Sequence, residues 1–445
     1  MKCILIEQDY YVLSSDSLYC RSRDGSKPRR LWDGNNTLEL STFNGWDAFE
    51  LVTEGDNIIA ISDAGYGSTA SRRKCDGLGG YLSQETLSIF INHETGTAAV
   101  SRLDLDLSDF QQALDSIIDG SAATFPSFIA SGMGYAYDRI YNDSYHAVNN
   151  PNPVAKGTVA VGSYGDANFD NFCSGTSYLP HSFGTNLGFT DHIYMTGEEV
   201  GGGKFYALDS ATRAFWEVSD VGMGFWENAA LVDTGNMTHV AVILMSDVGS
   251  SPGDYIRMYI GKKGVDVNSD DEIDFLERNG LRGGTVYFFN PDGAASTTDL
   301  PDGEVAGKWS TSIVGALQET KLEDIHTNPT DGTQTVFADQ TDGVYRMYLD
   351  LQFSGDMLDT MASTVTINQI ADDDTGDVRN PDNLTWSANG LIYVQEDGNG
   401  NDMWQMNNDG TGLKQLAHAL SEPSGIYDVS GLAGYTAGSV LLISM

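Results

Sequence analysis

Three stretches of this chain can be laid over one another, and that repetition constrains the fold more than any other feature of the sequence. They are "WENAALVDTGNMTHVAVILMSDVGSSPGDYIRMYIG", "LEDIHTNPTDGTQTVFADQTDGVYRMYLD" and "PDNLTWSANGLIYVQEDGNGNDMWQMNNDG". Each reads as a short strand headed by an acid, a turn, a second apolar strand ending in an acid, a polar loop, and a third strand rich in Tyr, Trp and Met. Two further stretches fit more loosely. In "YLSQETLSIFINHETGTAAVSRLDLD" the residues Asn92, His93 and Glu94 fall at the strand end, and "HIYMTGEEVGGGKFYALD" is preceded by Cys173 where the other repeats carry Glu or Asp. Units of this kind stack around an axis, so the expected fold is all-β, a β-propeller whose equivalent positions face one another across a central channel. Fifty glycines and eleven prolines in 445 residues supply the turns that many short strands need. No low-complexity linker divides the chain, so residues 1–445 are expected to form a single domain. Residues 105–160 show helical spacing at Phe110, Leu114 and Ile117 and read as a partly helical insertion, and residues 262–281 read as a second, acidic one.

Charge narrows the partners. With 63 acidic against 24 basic residues the formal charge is -39, which repels nucleic acid and anionic membrane and favours cations. A solvated acidic surface accounts for part of that excess. No apolar run approaches the roughly 18 residues that span a bilayer. The four cysteines, Cys3, Cys20, Cys75 and Cys173, make neither a zinc pattern nor a disulfide framework and leave the redox compartment open. The opening "MKCILIEQDYYVLSSD" has too short an apolar run for a secretory core.

Glu227, Glu323 and Asp382 occupy one repeat position and are expected to converge on the axis, with Glu396 ending the second strand of the last repeat. Unpaired buried anions raise one another's pKa and destabilise a fold, and hard cations relieve that cost. Carboxylates suit Ca²⁺, whereas a thiolate from Cys173 suits a transition metal; the alternative is an inert buried thiol at Cys173 and solvated or Arg-paired acids at the strand ends. A separate candidate is "DVNSDDEIDFLE", which places Asp266, Asn268, Asp270, Glu272 and Asp274 at positions 1, 3, 5, 7 and 9 of a calcium-binding loop and Glu277 at position 12. Position 6, usually Gly, is Asp271, and a solvated acidic turn is the competing reading. A Ser/His/Asp triad around Ser182 with His181 or His192 lacks a nucleophile elbow, and "GGGK" lacks the following helix of a phosphate loop.

The motifs "DGLGGY", "INHETG", "SRLDLD", the Cys173 segment, "TGEEVGGGKFYALD", "WENAALVDTGN", "KLEDIHTNP" and "PDNLTWSANGLIYVQEDG" follow one another from about residue 76 to 400. In that order they resemble the PhoX family of alkaline phosphatases, and its divergent marine and cyanobacterial branch more than its periplasmic members. The resemblance implies a six-bladed propeller whose funnel holds ferric and calcium ions and hydrolyses small phosphate esters. It implies that Cys173 is an iron ligand, that Glu227 and Glu323 bind metal, that Glu198 or Glu199 ligates calcium, and that Asn92 and Glu94 lie near the site. Lys321 stands where the family carries a phosphate-clamping Arg, and it keeps the charge while losing the bidentate fork. Lys321 and Asn92 are the residues expected on the catalytic side of the site. Trp226 replaces the usual His before Glu227. The family's twin-arginine export signal is absent, since Arg29-Arg30 and Arg72-Arg73 stand in the wrong contexts; an extracellular or periplasmic, monomeric protein is expected by analogy alone. The alternative class is a catalytically weak calcium-binding propeller of a surface or extracellular matrix, and a calcium-dependent propeller lactonase is a third, which does not call for Cys173.

Overall fold

The computed structural model describes residues 2–7, 29–32, 37–52, 75–94, 98–126, 129–142, 169–293, 297–373, 378–398, 400–419 and 422–444. Cys20, Arg72, Arg73 and the 105–160 segment beyond Asn142 lie outside them.

The repeats are antiparallel sheets. Cys75–Ser83 pairs with Thr86–His93, then Ala99–Asp106 and Ala130–Tyr135; Phe172–Tyr178 pairs with Ile193–Glu198, then Phe205–Asp209, Ala214–Glu217 and, in parallel, Arg139–Tyr141. Trp226–Val232, His239–Ser246, Arg257–Lys262 and Thr285–Pro291 form the next run, and Leu322–Thr327, Gln334–Asp339, Gly343–Asp350 and Thr364–Asp372 another. These last two runs are not separate. Glu304–Ser310 pairs with Thr285–Pro291 on one side and Thr364–Asp372 on the other, giving one nine-stranded sheet.

The first strand of each run, together with Pro381–Trp386 and Ser424–Asp428, stands on the inside. Cys75–Ser83 lies against Phe172–Tyr178, which lies against Trp226–Val232; the succession continues through Leu322–Thr327, Pro381–Trp386 and Ser424–Asp428 back to Cys75–Ser83. The fold is therefore all-β and propeller-like. The ends of the chain meet in one sheet, in which Lys2–Glu7 is hydrogen-bonded between Val440–Ser444 and Trp46–Val52.

Why the strands are so apolar follows from this stacking. A strand covered on both faces reads as a continuous hydrophobic run, because successive side chains enter different cores. In Trp226–Val232, Ala229 and Leu231 join a core with Ile193, Met195 and Phe205 of the preceding sheet, while Ala230 and Val232 join Ile325, Phe337 and Tyr345 of the following run. Burial of each such aliphatic or aromatic side chain contributes about 1.5–3 kcal/mol.

The helix expected near Phe110 spans Leu107–Ile118. Asp106 caps it by accepting the Ser108 and Asp109 N–H groups at 3.0 and 3.1 Å, and Phe110, Ala113, Leu114 and Ile117 face inward. Beyond this helix the chain supplies outer strands to two sheets. Among the described residues no helix is long and apolar enough to cross a membrane.

Candidate metal centre

Five of the inner strands begin with the same irregularity. Cys75 pairs with His93, and the next pair is Leu78 with Ile91, so one extra residue is inserted at the strand head. The insertion recurs between Phe172 and Gly175, Trp226 and Ala229, Leu322 and Ile325, and Pro381 and Leu384. A bulge of this kind re-aims side chains, and here it frees two consecutive residues of each strand from the ladder.

The first of each pair is Asp76, Cys173, Glu227, Glu323 or Asp382. Their ligand atoms assemble with acids from neighbouring strands into overlapping groups: Asp76, Glu94 and Cys173; Cys173, Glu199 and Glu227; Glu227, Glu323 and Asp382. Within each group the atoms lie no more than 4.8 Å apart. Glu94 and Glu199 stand at equivalent places, one residue beyond the second strand of their sheet, and Asp247 stands at that place in the next.

The second residue of each bulge closes the floor. Asn383 Nδ2 donates to Ser174 Oγ at 2.7 Å and to Asp76 Oδ1 at 3.3 Å, and Gly425 N donates to Asn383 Oδ1 at 2.8 Å. Ser174 Oγ donates to Glu227 Oε1 at 2.7 Å, Asn228 Nδ2 donates to Asp324 Oδ1, and Leu384 N donates to Asp324 Oδ2 at 3.0 Å. Gly77 completes this layer because nothing larger fits: a Cβ there would lie 2.3 Å from Gly175 N.

Electrostatically the cluster is overloaded with anions. Burial first, then Glu323, Glu199, Asp382 and Asp76, push the Glu227 carboxyl well above its ordinary range. Burial with Glu323 and Asp76 does the same to Asp382, and burial with Glu227, Asp76 and Glu199 raises the Cys173 thiol. Glu199 is pushed up to about 7, chiefly by burial, although Cys173 Sγ donates to its Oε2 at 2.9 Å. Buried Glu323 Oε1 has no hydrogen-bond partner. The nearest cation is Lys321, whose Nζ lies 2.6 Å from Asp247 and 3.6 Å from Glu323. Burial alone would lower the Lys321 pKa, but Glu323, Asp247 and Glu199 together hold it above its ordinary value.

No family model matches the chain, and no curated protein sequence matches it. Among solved structures it is similar to Pseudomonas fluorescens PhoX in complex with vanadate, a transition state analogue, with a TM-score of 0.59 and 14% identity over 92% of this chain and 96% of that one. The fold is PhoX-like. Putative 6-phosphogluconolactonases from Bacteroides fragilis and Bacteroides uniformis align along 95% of this chain, and 96% and 97% of theirs, at 9% and 10% identity with TM-scores of 0.33 and 0.34.

On this PhoX-like frame several of the expected residues sit elsewhere. Strand alternation separates Glu198 from Glu199: Glu198 turns back into its own sheet and accepts the Asp170 and Lys204 N–H groups at 3.1 and 2.9 Å. Glu396 holds the same place in its sheet and accepts Arg379 N–H at 2.7 Å and the Trp404 indole at 2.8 Å. Neither joins the clustered acids. Asn92, expected on the catalytic side, is fully buried: its Nδ2 donates to Cys173 O, Ser174 O and Thr196 Oγ1 at 2.7–2.9 Å, and its Oδ1 accepts from Tyr194. It holds the bulge that carries Cys173. Ser182 donates to Leu179 O and His192 pairs with Ser210, so they form no triad.

In the Asp266–Glu277 loop, Asp266 accepts the Asp270 and Asp271 N–H groups, Asn268 accepts Asp270 N–H, and Asp270 accepts Glu272 N–H, with Asp271 at φ +62°. Asp274 caps the short Phe275–Arg278 helix, and Glu277 is buried with Oε1 and Oε2 accepting Val267 N–H at 2.8 Å and Asp274 N–H at 3.2 Å. The loop's carboxylates alone form no group of three ligand oxygens within 4.8 Å.

Two residues of the cluster escape the sequence reading, Asp76 and Asp247. The signal for Asp76 is the three-residue pattern "CDG", which matches "FCS", "WEN", "LED" and "PDN"; the signal for Asp247 is its place one residue after a second strand.

Proposed function

We propose that this chain is a metal-dependent phosphoesterase built on a six-bladed ring, with iron and calcium held at the bulged strand heads. The observation that carries the reading is the convergence, among the described residues, of a thiol and at least six carboxyls with a single lysine beside them. A thiolate beside carboxylates fits a borderline or ferric ion at Cys173, Glu199 and Glu227, and the all-oxygen group Glu227, Glu323 and Asp382 fits calcium. Such ions supply Lewis-acid neutralisation of phosphate charge. The protein's own part is positional. Asn92 fixes the Cys173 backbone, the Ser174, Asn228, Asp324 and Asn383 layer seals the floor, and Lys321 offers its ammonium to one phosphate oxygen as a point charge.

The test is hydrolysis of nitrophenyl phosphate by the purified protein, read beside its elemental content. Iron and calcium with turnover are expected, and Cys173→Ser should lose iron and turnover while staying folded. Unchanged iron in that variant would remove Cys173 from the ligand set. A second reading, a calcium-binding propeller without turnover, is favoured by the engagement of Lys321 with Asp247 and Glu323, which balances its charge before any anion arrives. Calcium retention with no iron and no hydrolysis would establish it.

A further inference from the structure

A second group of carboxylates lies outside the strand-head cluster. Asp299 precedes the Glu304–Ser310 strand, Glu319 ends the Gln318–Glu319 strand, and Asp342 sits in the turn between Gln334–Asp339 and Gly343–Asp350. One oxygen from each lies within 4.8 Å of the others. Asp339 stands beside them, and its Oδ1 is taken by Thr341 N–H and Oγ1–H at 3.0 and 2.7 Å.

Two oxygens here are orphaned. Glu319 is 3% exposed and Asp339 0%, yet Glu319 Oε1 and Asp339 Oδ2 have no hydrogen-bond partner. None of the four acids pairs with a described Lys or Arg. The equivalent places in other sheets are different. Asp339 pairs with the first residue of its inner strand as Glu198 and Glu396 do with theirs, and all three accept N–H donors, but only Asp339 among them keeps a buried oxygen without one. In this sheet Glu319 and Asp342 supply more carboxylate instead. An unpartnered buried carboxylate oxygen costs about 1–3 kcal/mol or more, so the arrangement calls for a positive guest.

We propose that Asp299, Glu319 and Asp342, with Asp339 beside them, form a calcium site separate from the strand-head cluster. The donors are all carboxylate oxygens, which excludes the sulfur- and imidazole-seeking metals. Ligand number favours calcium over magnesium: carboxylates gathered from separate segments suit an ion that takes six to eight oxygens in flexible geometry, whereas magnesium keeps several waters and is held by one or two carboxylates. Burial, then Asp339, Asp299 and Asp342, push the Glu319 carboxyl up to about 9, which is the strain an ion removes. The ion joins three segments distant in sequence and braces Glu319, two residues ahead of Lys321.

Equilibrium dialysis with radioactive calcium, on full-length protein, tests this. Glu319→Gln should bind one calcium fewer per chain than wild type, with iron content unchanged. Its melting temperature should rise relative to wild type in chelator, where folding no longer has to protonate or bury that carboxyl, and fall in saturating calcium, where a ligand is lost. Asp299→Asn, at an exposed position, should also lose one calcium and guards against a folding defect in the first variant. Wild-type calcium counts in both variants, or a Glu319→Gln melting temperature lowered equally in chelator and calcium, would overturn the proposal. Because the count is a difference from wild type, it stands whatever the strand-head cluster holds.

Discussion

Glu198 and Glu199 are joined by one peptide bond and do different work. Glu198 accepts two backbone N–H groups of its own sheet, whereas Glu199 accepts the Cys173 thiol in the anionic cluster. Glu198→Gln should therefore cost about 1–2 kcal/mol by placing an amide against an N–H donor, with metal content unchanged, as read by urea unfolding beside elemental analysis. Glu199→Gln should do the reverse, reducing bound metal with little loss of stability in chelator. Asn92 belongs with Glu198: Asn92→Ala removes two N–H donors shared among three acceptors, and one acceptor, at a fully buried position and should cost about 2–4 kcal/mol, lowering the urea midpoint. A wild-type midpoint would show that Asn92 does not hold the Cys173 bulge.

At the scale of the element, the strand-head bulge decides what could be read in advance. The acid heading each repeat was legible, because "WEN", "LED" and "PDN" are short, similar and placed before recognisable apolar strands. Asp76 was not, because counting a period of two from a strand is shifted by the inserted residue, so the inward face changes at the place that matters, and Asp247 was not, because it lies beyond the end of its strand, where alternation no longer guides the count. The same alternation turns Glu396 into its own sheet and leaves Asp397, one residue beyond the strand, to accept from Gln340 Nε2 at 3.1 Å. The joining of two runs through Glu304–Ser310 was also hidden, since edge pairing between sheets depends on backbone placement and leaves little trace in side-chain pattern. The Asp266–Glu277 loop carries its own expectation. Glu277 ties two backbone N–H groups, so Glu277→Gln should lower the melting temperature by several degrees even in chelator, and calcium binding at this loop would add a further, calcium-dependent loss. A melting temperature unchanged in both conditions would remove Glu277 from any structural role.

For the whole molecule, the buried acids set how stability responds to pH. In metal-free protein Glu199 and Asp342 are pushed up to about 7 and Glu319 to about 9, chiefly by burial, from ordinary values of 4.5, 3.8 and 4.5. The folded state then keeps protons that the unfolded chain releases, so the contribution of these groups to stability is fully present below about pH 4 and is lost as pH rises towards about 9. In chelator the melting temperature should fall steadily across that window, and bound cations should flatten the fall; a chelated protein equally stable at pH 5 and pH 9 would contradict the assignment. One feature of the architecture sets a different limit. The Lys2–Glu7 strand lies between Trp46–Val52 and Val440–Ser444, with Cys3 opposite Ile443, so one edge of it stays open in a nascent chain until Val440–Ser444 has been made. Amide hydrogens that join Lys2–Glu7 to Val440–Ser444 should accordingly exchange together, and a ribosome-stalled chain ending before residue 440 should leave unprotected the Lys2–Glu7 amides that face Val440–Ser444.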